Sequence, residues 1–168
     1  NLHEEGVDVA VLIGPSPDGY MVARKLGSAR QMICASPDYL RRHPAPQALS
    51  DLGTHALVFC SADNPVLEWR FQRDGSLRSV AWRPTLRCTT QAATGEAALS
   101  GAGLASCLSY QVHQHLQTGR LQPVLEAFEP APLAVHLVYR EGRRASARVR
   151  SFIDFVVERL RNHPRLNP

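Results

Sequence analysis

Short apolar runs of strand length alternate with amphipathic segments of helix length along this chain. Runs rich in Val, Ile and Leu occupy residues 7–13, 22–26, 30–35, 56–60 and 133–139. Segments with helical character follow at residues 37–43, 91–100, 110–118 and 147–160. This alternation predicts an α/β fold with a largely parallel sheet, in which residues 7–13 form a buried strand.

Residues at the ends of these segments predict where helices begin and end. Ser36 before Pro37 is typical of a helix start, because serine caps a helix and proline suits its first position. Ser109 is predicted to cap the helix over residues 110–118. Gly101 follows an Ala-rich helical segment and is predicted to end it in a left-handed conformation.

The last helix is marked by an apolar stripe. Ser146 is predicted to cap it. The stripe comprises Val149, Phe152, Ile153, Val156 and Leu160. Such spacing is typical of a helix that lies on a sheet. Residues 162–168 after it are expected to fray.

A different pattern, strict alternation, surrounds Asp74-Gly75 and predicts a hairpin turn there. Trp69 and Phe71 precede the turn, and Val80 and Trp82 follow it, with Arg, Ser and Gln residues between them. One face of the hairpin is therefore expected to be covered and the other to be wet.

Charge and composition exclude some classes of protein. The chain has 168 residues, is 44% hydrophobic and carries a net charge of +4. No apolar run is long enough to span a membrane, and the acidic opening does not resemble a signal peptide. The basic side chains of residues 140–150 lack interleaved aromatics, so they indicate a solvated face and not a nucleic-acid site.

Metal and enzyme sites are not indicated by the spacing of the reactive residues. The four cysteines, at positions 34, 60, 88 and 107, are single residues in apolar runs, so we expect buried free thiols. His113 and His115 are two apart on a helix and face different directions. The sequence contains no nucleophile elbow, P-loop, zinc-protease or dinucleotide motif, and we expect no catalysis, cofactor or bound metal.

Two consecutive hydroxyl residues, Thr89 and Thr90, stand where a strand ends and a helix begins. The first N–H groups of a helix lack partners and the helix dipole favours negative charge, so this is a suitable place for an anionic ligand. Either the two side chains bind an effector carboxylate, or they only cap the helix.

Other candidate residues follow the carboxyl ends of predicted strands, where open α/β sheets bind ligands. Gly14, Pro15 and Ser16 end one strand and Ser61 ends another; for each serine a ligand contact and a simple turn are equally consistent. Trp69 either lines a cleft or, as we favour, belongs to the core of the hairpin.

Several motifs together resemble the effector-binding domain of LysR-type transcriptional regulators. They are CASPDYL at residues 34–40, GAGLA at 101–105 and the closing SARVRSFIDF at 146–155. Their order is that of the family along nearly the whole chain. The resemblance implies a type 2 periplasmic-binding-protein-like fold, with two lobes joined by a hinge and a small effector in the cleft between them.

On this resemblance, residues 1–25 and 132–168 form lobe I, and residues 26–131 form lobe II. We expect that the chain is a fragment: the opening part of lobe I and the helix-turn-helix DNA-binding domain are absent. The candidate effector-binding residues are Ile13, Gly14, Pro15, Ser16, Ser61, Trp69, Thr89, Thr90 and Gln91. The family often has Asn or Asp where Thr89 and Thr90 stand, so its effectors do not transfer.

The resemblance implies a cytoplasmic sensor without enzymatic activity. Its expected partners are a small and acidic effector and further copies of itself, as a dimer or tetramer, with DNA contacted only through the absent domain. The alternative is a stand-alone solute-binding protein of the same fold. A small α/β enzyme that uses Cys or His is a third, less favoured class.

Overall fold

The computed structural model describes residues 7–16, 21–61, 68–140, 147–161 and 163–166. The strands are β1 (Val9–Ile13), β2 (Met21–Ala29), β3 (Gln31–Ala35), β4 (Leu57–Cys60), β5 (Glu68–Arg73), β6 (Ser76–Ala81), β7 (Leu86–Cys88), β8 (Leu104–Leu108), β9 (Gln122–Val124) and β10 (Leu133–Arg140). The helices are α1 (Pro37–Arg42), α2 (Gln91–Leu99), α3 (Ser109–Gln117) and α4 (Ala147–Leu160). Short 3-10 turns occupy Leu49–Thr54, Glu126–Phe128 and Pro164–Leu166.

The chain divides into two compact units. Unit 1 contains Asn1–Ala29 and Pro132–Pro168, and unit 2 contains Arg30–Ala131. The boundary expected between residues 25 and 26 would lie inside β2, which continues to Ala29. The observed boundary follows the end of that strand. The α/β class expected from the sequence is confirmed, with sheet and helix in both units.

The sheet of unit 1 is antiparallel, so the expectation of a largely parallel sheet is wrong here. Its order is β1-β10-β2, and β10 runs antiparallel to both neighbours. A run of apolar residues indicates burial but carries no information on direction. β10 enters the sheet only after the whole of unit 2, so no local pattern in the sequence determines its direction.

The burial predicted for the first strand is also wrong. Val11 of β1 is 52% exposed and Ile13 is 37% exposed. Among the described strands, β1 pairs only with β10 and forms an edge of the sheet. The side chains of its exposed face therefore have no second layer over them within the described residues.

Helix α4 follows the predicted stripe only in part. Ile153 is buried as expected, but Val157 is buried too, whereas Phe152 is 52% exposed. Ser146, the predicted cap, lies outside the described residues. The fraying expected for the C-terminal residues is wrong at 164–166, because a 3-10 turn there packs Leu166 against Gly27 of β2.

The sheet of unit 2 is mixed, in the order β7-β4-β8-β3-β9. β4 is parallel to β7 and β8, whereas β3 is antiparallel to β8 and β9. The parallel part is the part where α2 lies in sequence between β7 and β8, as a crossover connection requires. The prediction of a parallel sheet is therefore right for β7, β4 and β8 only.

Two hydrophobic clusters form the core of unit 2. The first contains Phe59 and Trp69, together with Leu57 of β4. The second contains Val58 of the same strand and Ala98 of α2. Because side chains alternate across a strand, consecutive residues of β4 supply the two clusters on opposite faces of the sheet.

The predicted helix ends are confirmed in two cases and wrong in one. Ser36 caps α1 by accepting the N–H of Tyr39, and Gly101 follows α2 with φ of +80°. Ser109 does not cap α3, since the N-cap is Leu108, whose N–H donates to Gln111. The hydroxyl of Ser109 is buried and accepts a hydrogen bond from the N–H of Arg30 at 3.0 Å instead.

The hairpin about Asp74-Gly75 is confirmed. β5 and β6 pair antiparallel, with Arg73 opposite Ser76 and Trp69 opposite Val80. Trp69 and Phe71 are buried, and the intervening Arg70 is exposed. One face of the hairpin is thus covered, as the alternation predicted.

Candidate functional site

A cavity of about 230 Å³ lies within unit 2, at the end of β4 and at the beginnings of β5 and α2. Its lining residues are Gln31, Phe59, Cys60, Glu68, Trp69, Arg70, Gln91 and Ser106. Aromatic rings thus form part of the wall, and amide, hydroxyl and charged groups form the remainder. Such a combination of apolar surface with a few polar groups is typical of small-molecule sites.

Four strands bring this wall together. β3 and β8 are paired so that Ile33 is opposite Ser106, and Gln31 lies two residues from Ile33 on the same face. β4 contributes Phe59, which belongs to the same hydrophobic cluster as Ile33. The hairpin strand β5 supplies Trp69 over that face. The cavity is therefore a product of sheet register and not of any one segment.

Trp69 belongs to the core, as favoured from the sequence, and it also borders the cavity. It is buried in the first core cluster and its ring stacks on Phe59 at 4.7 Å between centroids, with 13° between the planes. The same side chain also lines the cavity. The stacked pair forms a rigid apolar wall, which suits a flat or apolar part of a ligand.

The beginning of α2 is capped by Thr90. Its hydroxyl oxygen accepts the N–H of Ala93 at 3.2 Å, and its carbonyl accepts from both the N–H and the hydroxyl of buried Thr94. Thr89 is exposed, and its side chain makes no hydrogen bond to a described residue. Gln91, the first residue of the helix, lines the cavity.

Ser61 is held by the neighbouring strand. Its N–H and its hydroxyl both donate to the carbonyl of Cys88, at 2.8 and 3.0 Å. The hydroxyl proton is therefore engaged within the protein, and the oxygen could only accept from a ligand.

Four candidates belong to unit 1. Ile13 ends β1, and the N–H of buried Gly14 donates to the carbonyl of Ala134 at 2.9 Å, with φ of +120° at the glycine. Pro15 and Ser16 are exposed. Because the Gly14 N–H already has a backbone partner, it has no donor left for a ligand.

Several lining residues were missed by reasoning from the sequence. Gln31 and Ser106 stand in strands 75 residues apart, and only the pairing of β3 with β8 brings them to one face. Arg70 and Glu68 alternate with Trp69 in β5, and this alternation was the one available signal. Among the described residues, Arg70 forms no ion pair, so its exposed guanidinium gives the cavity a positive group.

No described helix is long and apolar enough to cross a membrane. Within the described ranges, no group of three or more His, Cys, Asp and Glu side chains could hold a metal ion. The thiols of the described cysteines are free; Cys34, Cys60 and Cys107 are buried, as expected, and Cys88 is half-buried.

The chain is similar to one known family and to several known proteins over almost its whole length. The family described as the LysR substrate binding domain matches residues 1–161. A protein named HTH-type transcriptional regulator from Xanthomonas campestris is 33% identical over 157 residues, which are 91% of this chain and 46% of that protein. The regulator YhjC of Escherichia coli K12 is 32% identical and is matched over 92% of this chain and 52% of its own length.

Solved structures show the same fold. The LysR-type regulator CrgA from Neisseria meningitidis aligns with a TM-score of 0.84 and 27% identity, over 96% of this chain and 55% of that one. Its regulatory domain alone aligns with a TM-score of 0.81 and 26% identity, over 94% and 78% of the two chains. The fold expected from the resemblance is confirmed. This chain spans about half the length of the curated relatives it matches.

Proposed function

Because the chain belongs to the family of LysR substrate-binding domains, we propose that it is the effector-sensing part of a transcriptional regulator and not an enzyme. Relatives that it matches over more than nine-tenths of its length are named HTH-type transcriptional regulators. These names support a regulator over a stand-alone solute-binding protein. A regulator of transcription acts where the DNA is, so the proposed location is the cytoplasm.

The observation that carries the proposal is the 230 Å³ cavity of unit 2. Its volume suits part of a small molecule and is below the range typical of a complete drug-sized site. The stacked Phe59–Trp69 wall can contact an apolar portion, and the amides of Gln31 and Gln91 with the Ser106 hydroxyl can form hydrogen bonds. The proposed ligand is therefore a small molecule with an apolar or unsaturated part and polar groups, and the charges described next indicate that it is an acid.

Two features favour a negative charge on the ligand. Arg70 places a guanidinium at the cavity, and arginine binds carboxylates through paired N–H groups. Gln91 stands in the first turn of α2, where the helix dipole favours an anion by about 0.3–1 kcal/mol at an exposed site. Binding of a ligand by Thr89, Ser61 and Ser16 stays a prediction.

The proposed regulatory step is a shift between states of an oligomer. A ligand changes such an equilibrium only when it binds the two states with different affinity. Pairing with further copies of the chain, as a dimer or tetramer, and contact with DNA through a helix-turn-helix domain belong to the same proposal. The names of the relatives support the second part.

A thermal-shift screen tests the ligand chemistry. The chain is heated with matched pairs of small acids and their neutral amides, including aromatic, unsaturated and hydroxy acids. A ligand present at 100 times its Kd adds about 2.7 kcal/mol of stability, which raises the Tm of a domain of this size by about 5–10 °C. We expect acids to produce such a shift, their amides to produce less, and each ligand to be recovered chemically unchanged.

Matched variants locate the binding. Arg70→Gln is expected to remove most of the shift caused by an acid, whereas Arg120→Gln, which neutralises an exposed arginine outside the cavity, should leave it intact. Equal shifts in both variants would place the acid elsewhere. Conversion of a ligand into a product would contradict the proposal of a sensor.

A further inference from the structure

The register of two parallel strands places two cysteines side by side. Cys60 ends β4, Cys88 ends β7, and the two residues are direct partners across the strands. The N–H and hydroxyl of Ser61 hold the carbonyl of Cys88, which fixes the relative position of the two strand ends. Directly opposite residues of neighbouring strands have their side chains on the same face of the sheet.

This spacing meets the requirement for a disulfide. Neighbouring strands lie about 4.7–4.9 Å apart, and disulfides join residues whose Cα atoms are about 4.4–6.8 Å apart. The register therefore places Cys60 and Cys88 at a separation that a disulfide can span. Both thiols are free in this structure.

The other two cysteines do not meet this requirement. Cys34 is opposite Ala105 and Cys107 is opposite Met32, so Cys34 and Cys107 are diagonal neighbours on antiparallel strands. Diagonal neighbours are about 7–8 Å apart, a separation at which a disulfide requires movement of the backbone, although the two thiols are close enough to hydrogen-bond. A hydrogen bond with Cys107 and burial raise the pKa of the Cys34 thiol, which keeps it protonated and unreactive.

Accessibility distinguishes the two pairs in the same way. Cys34 and Cys107 are completely or almost completely buried within the second core cluster. Cys88 is half-buried, and Cys60 is 8% exposed at the border of the cavity. An oxidant in solution can therefore reach Cys88 first, with Cys60 as its immediate neighbour.

We propose that Cys60 and Cys88 form a redox site, which a hydroperoxide converts from two thiols to an intramolecular disulfide. The sulfur of Cys88 attacks the peroxide, the O–O bond breaks, and Cys88 becomes a sulfenic acid while an alcohol or water leaves. The sulfur of Cys60 then attacks that of Cys88, the S–O bond breaks, and the departing hydroxide leaves as water with the Cys60 proton.

Two electrons pass from the thiols to the peroxide in these steps, and thiol reductants reverse them. In reducing compartments such disulfides are transient, as a redox signal requires. The cross-link would tie the end of β4 to the edge strand β7 beside the cavity. The site gives the domain an oxidative input that is separate from its effector and independent of the proposed function.

Mass spectrometry of the intact chain under non-reducing conditions tests the site. After treatment with hydrogen peroxide or cumene hydroperoxide, we expect a loss of two hydrogens that dithiothreitol restores. Trypsin leaves Cys88 and Cys107 in one peptide, because no Lys or Arg lies between residues 88 and 120. Fragmentation of the cross-linked peptide must therefore show which of the two cysteines is joined to Cys60.

Two variants that each remove one thiol are compared, so that the number of remaining cysteines is the same. Cys88→Ala is expected to abolish the cross-link, whereas Cys107→Ala should retain it. If burial makes Cys107→Ala unfold, Cys34→Ala serves in its place. Cross-linking of Cys60 with Cys107, a disulfide between two chains, or thiols that stay reduced in excess oxidant would each overturn the proposal.

Discussion

At the scale of single residues, a histidine beside a buried tyrosine couples stability to pH. The N–H of Ala56 donates to the Tyr39 hydroxyl oxygen at 3.0 Å, and the same hydroxyl lies 3.0 Å from Nδ1 of His55. In the neutral ring Nδ1 can accept the hydroxyl proton. Burial lowers the pKa of His55, and the nearby His43 lowers it further, while Asp51 acts in the opposite direction.

The sign of the pH dependence follows from this lowered pKa. Above the unfolded value of 6.5 the ring is neutral in both states and its contribution to stability is complete. As the pH falls below 6.5, the unfolded chain binds the proton first, so stability is lost until the folded pKa is passed. We expect the free energy of unfolding to fall as the pH decreases below 6.5, with a slope from this residue of at most about 1.4 kcal/mol per pH unit.

His55→Asn tests the assignment, since the asparagine oxygen can accept from Tyr39 but does not titrate in this range. Urea unfolding followed by tryptophan fluorescence should show a shallower loss of stability on acidification than in the unchanged chain. His113→Asn is the control, because it replaces a histidine of α3 that does not contact Tyr39 or His55, and it measures the effect of removing an unrelated histidine. Identical pH profiles for His55→Asn and the unchanged chain would contradict the prediction.

At the scale of elements, Arg30 joins the two segments at which unit 2 begins and ends. Its guanidinium donates to both oxygens of Glu129, at 2.9 and 3.0 Å, and lies 3.4 Å from Glu126. Its backbone exchanges two hydrogen bonds with Ser109 at the start of α3. The contacts with Glu129 and Glu126, led by the hydrogen bond with Glu129, raise the pKa of Arg30, while partial burial acts in the opposite direction.

Arg30→Gln is expected to lower the free energy of unfolding by about 1–2 kcal/mol, which is less than most hydrogen bonds to charged groups contribute, because Arg30 is partly exposed. The loss arises largely from Glu129, whose carboxylate is only 12% exposed and would lack its partner. Denaturant unfolding at neutral pH measures the change.

Glu126→Gln is the matched control for the Arg30 prediction. That carboxylate is 58% exposed and makes the longer contact, so its loss should cost less than 1 kcal/mol. A change for Arg30→Gln no larger than that for Glu126→Gln would show that the paired contact with Glu129 does not stabilise unit 2.

The sequence predicted features that depend on neighbouring residues well. It predicted features that depend on distant residues poorly. Ser36-Pro37 and Gly101 marked helix ends that the structure confirms, because caps depend on neighbours within one turn. Ser109 failed as a cap because its hydroxyl bonds to a residue 79 positions away. The direction of β10 likewise depends on a path through all of unit 2, which no local pattern contains.

At the scale of the whole molecule, the order of motifs was more informative than any single one. It led to the family and the fold, which the comparisons confirm. The candidate site was harder to predict: Trp69 and Gln91 were among the candidates and line the cavity, but Gln31 and Ser106 meet only through the register of β3 and β8. A binding surface assembled from distant strands can be read from a sequence only when the pairing of those strands is known.

The apolar surface of unit 1 leads to the last prediction, on association. Phe152 and Phe155 of α4 are 52% and 57% exposed, and Val11 of β1 is equally open. Exposed aromatic clusters of this kind mark protein contacts, and the chain is expected to pair with a second copy. Phe155→Glu should therefore weaken a dimer at least tenfold, measured by sedimentation velocity across micromolar concentrations.

Leu77→Glu is the matched control for this surface, because Leu77 is 55% exposed but lies on the hairpin of unit 2. If α4 carries the contact, only the α4 variant shifts the sedimentation coefficient towards that of a monomer. Desolvation of the new carboxylate explains the difference, since an unpaired charge at an interface opposes association strongly. Equal effects of both substitutions, or a monomeric unchanged chain, would show that these aromatics do not mediate pairing.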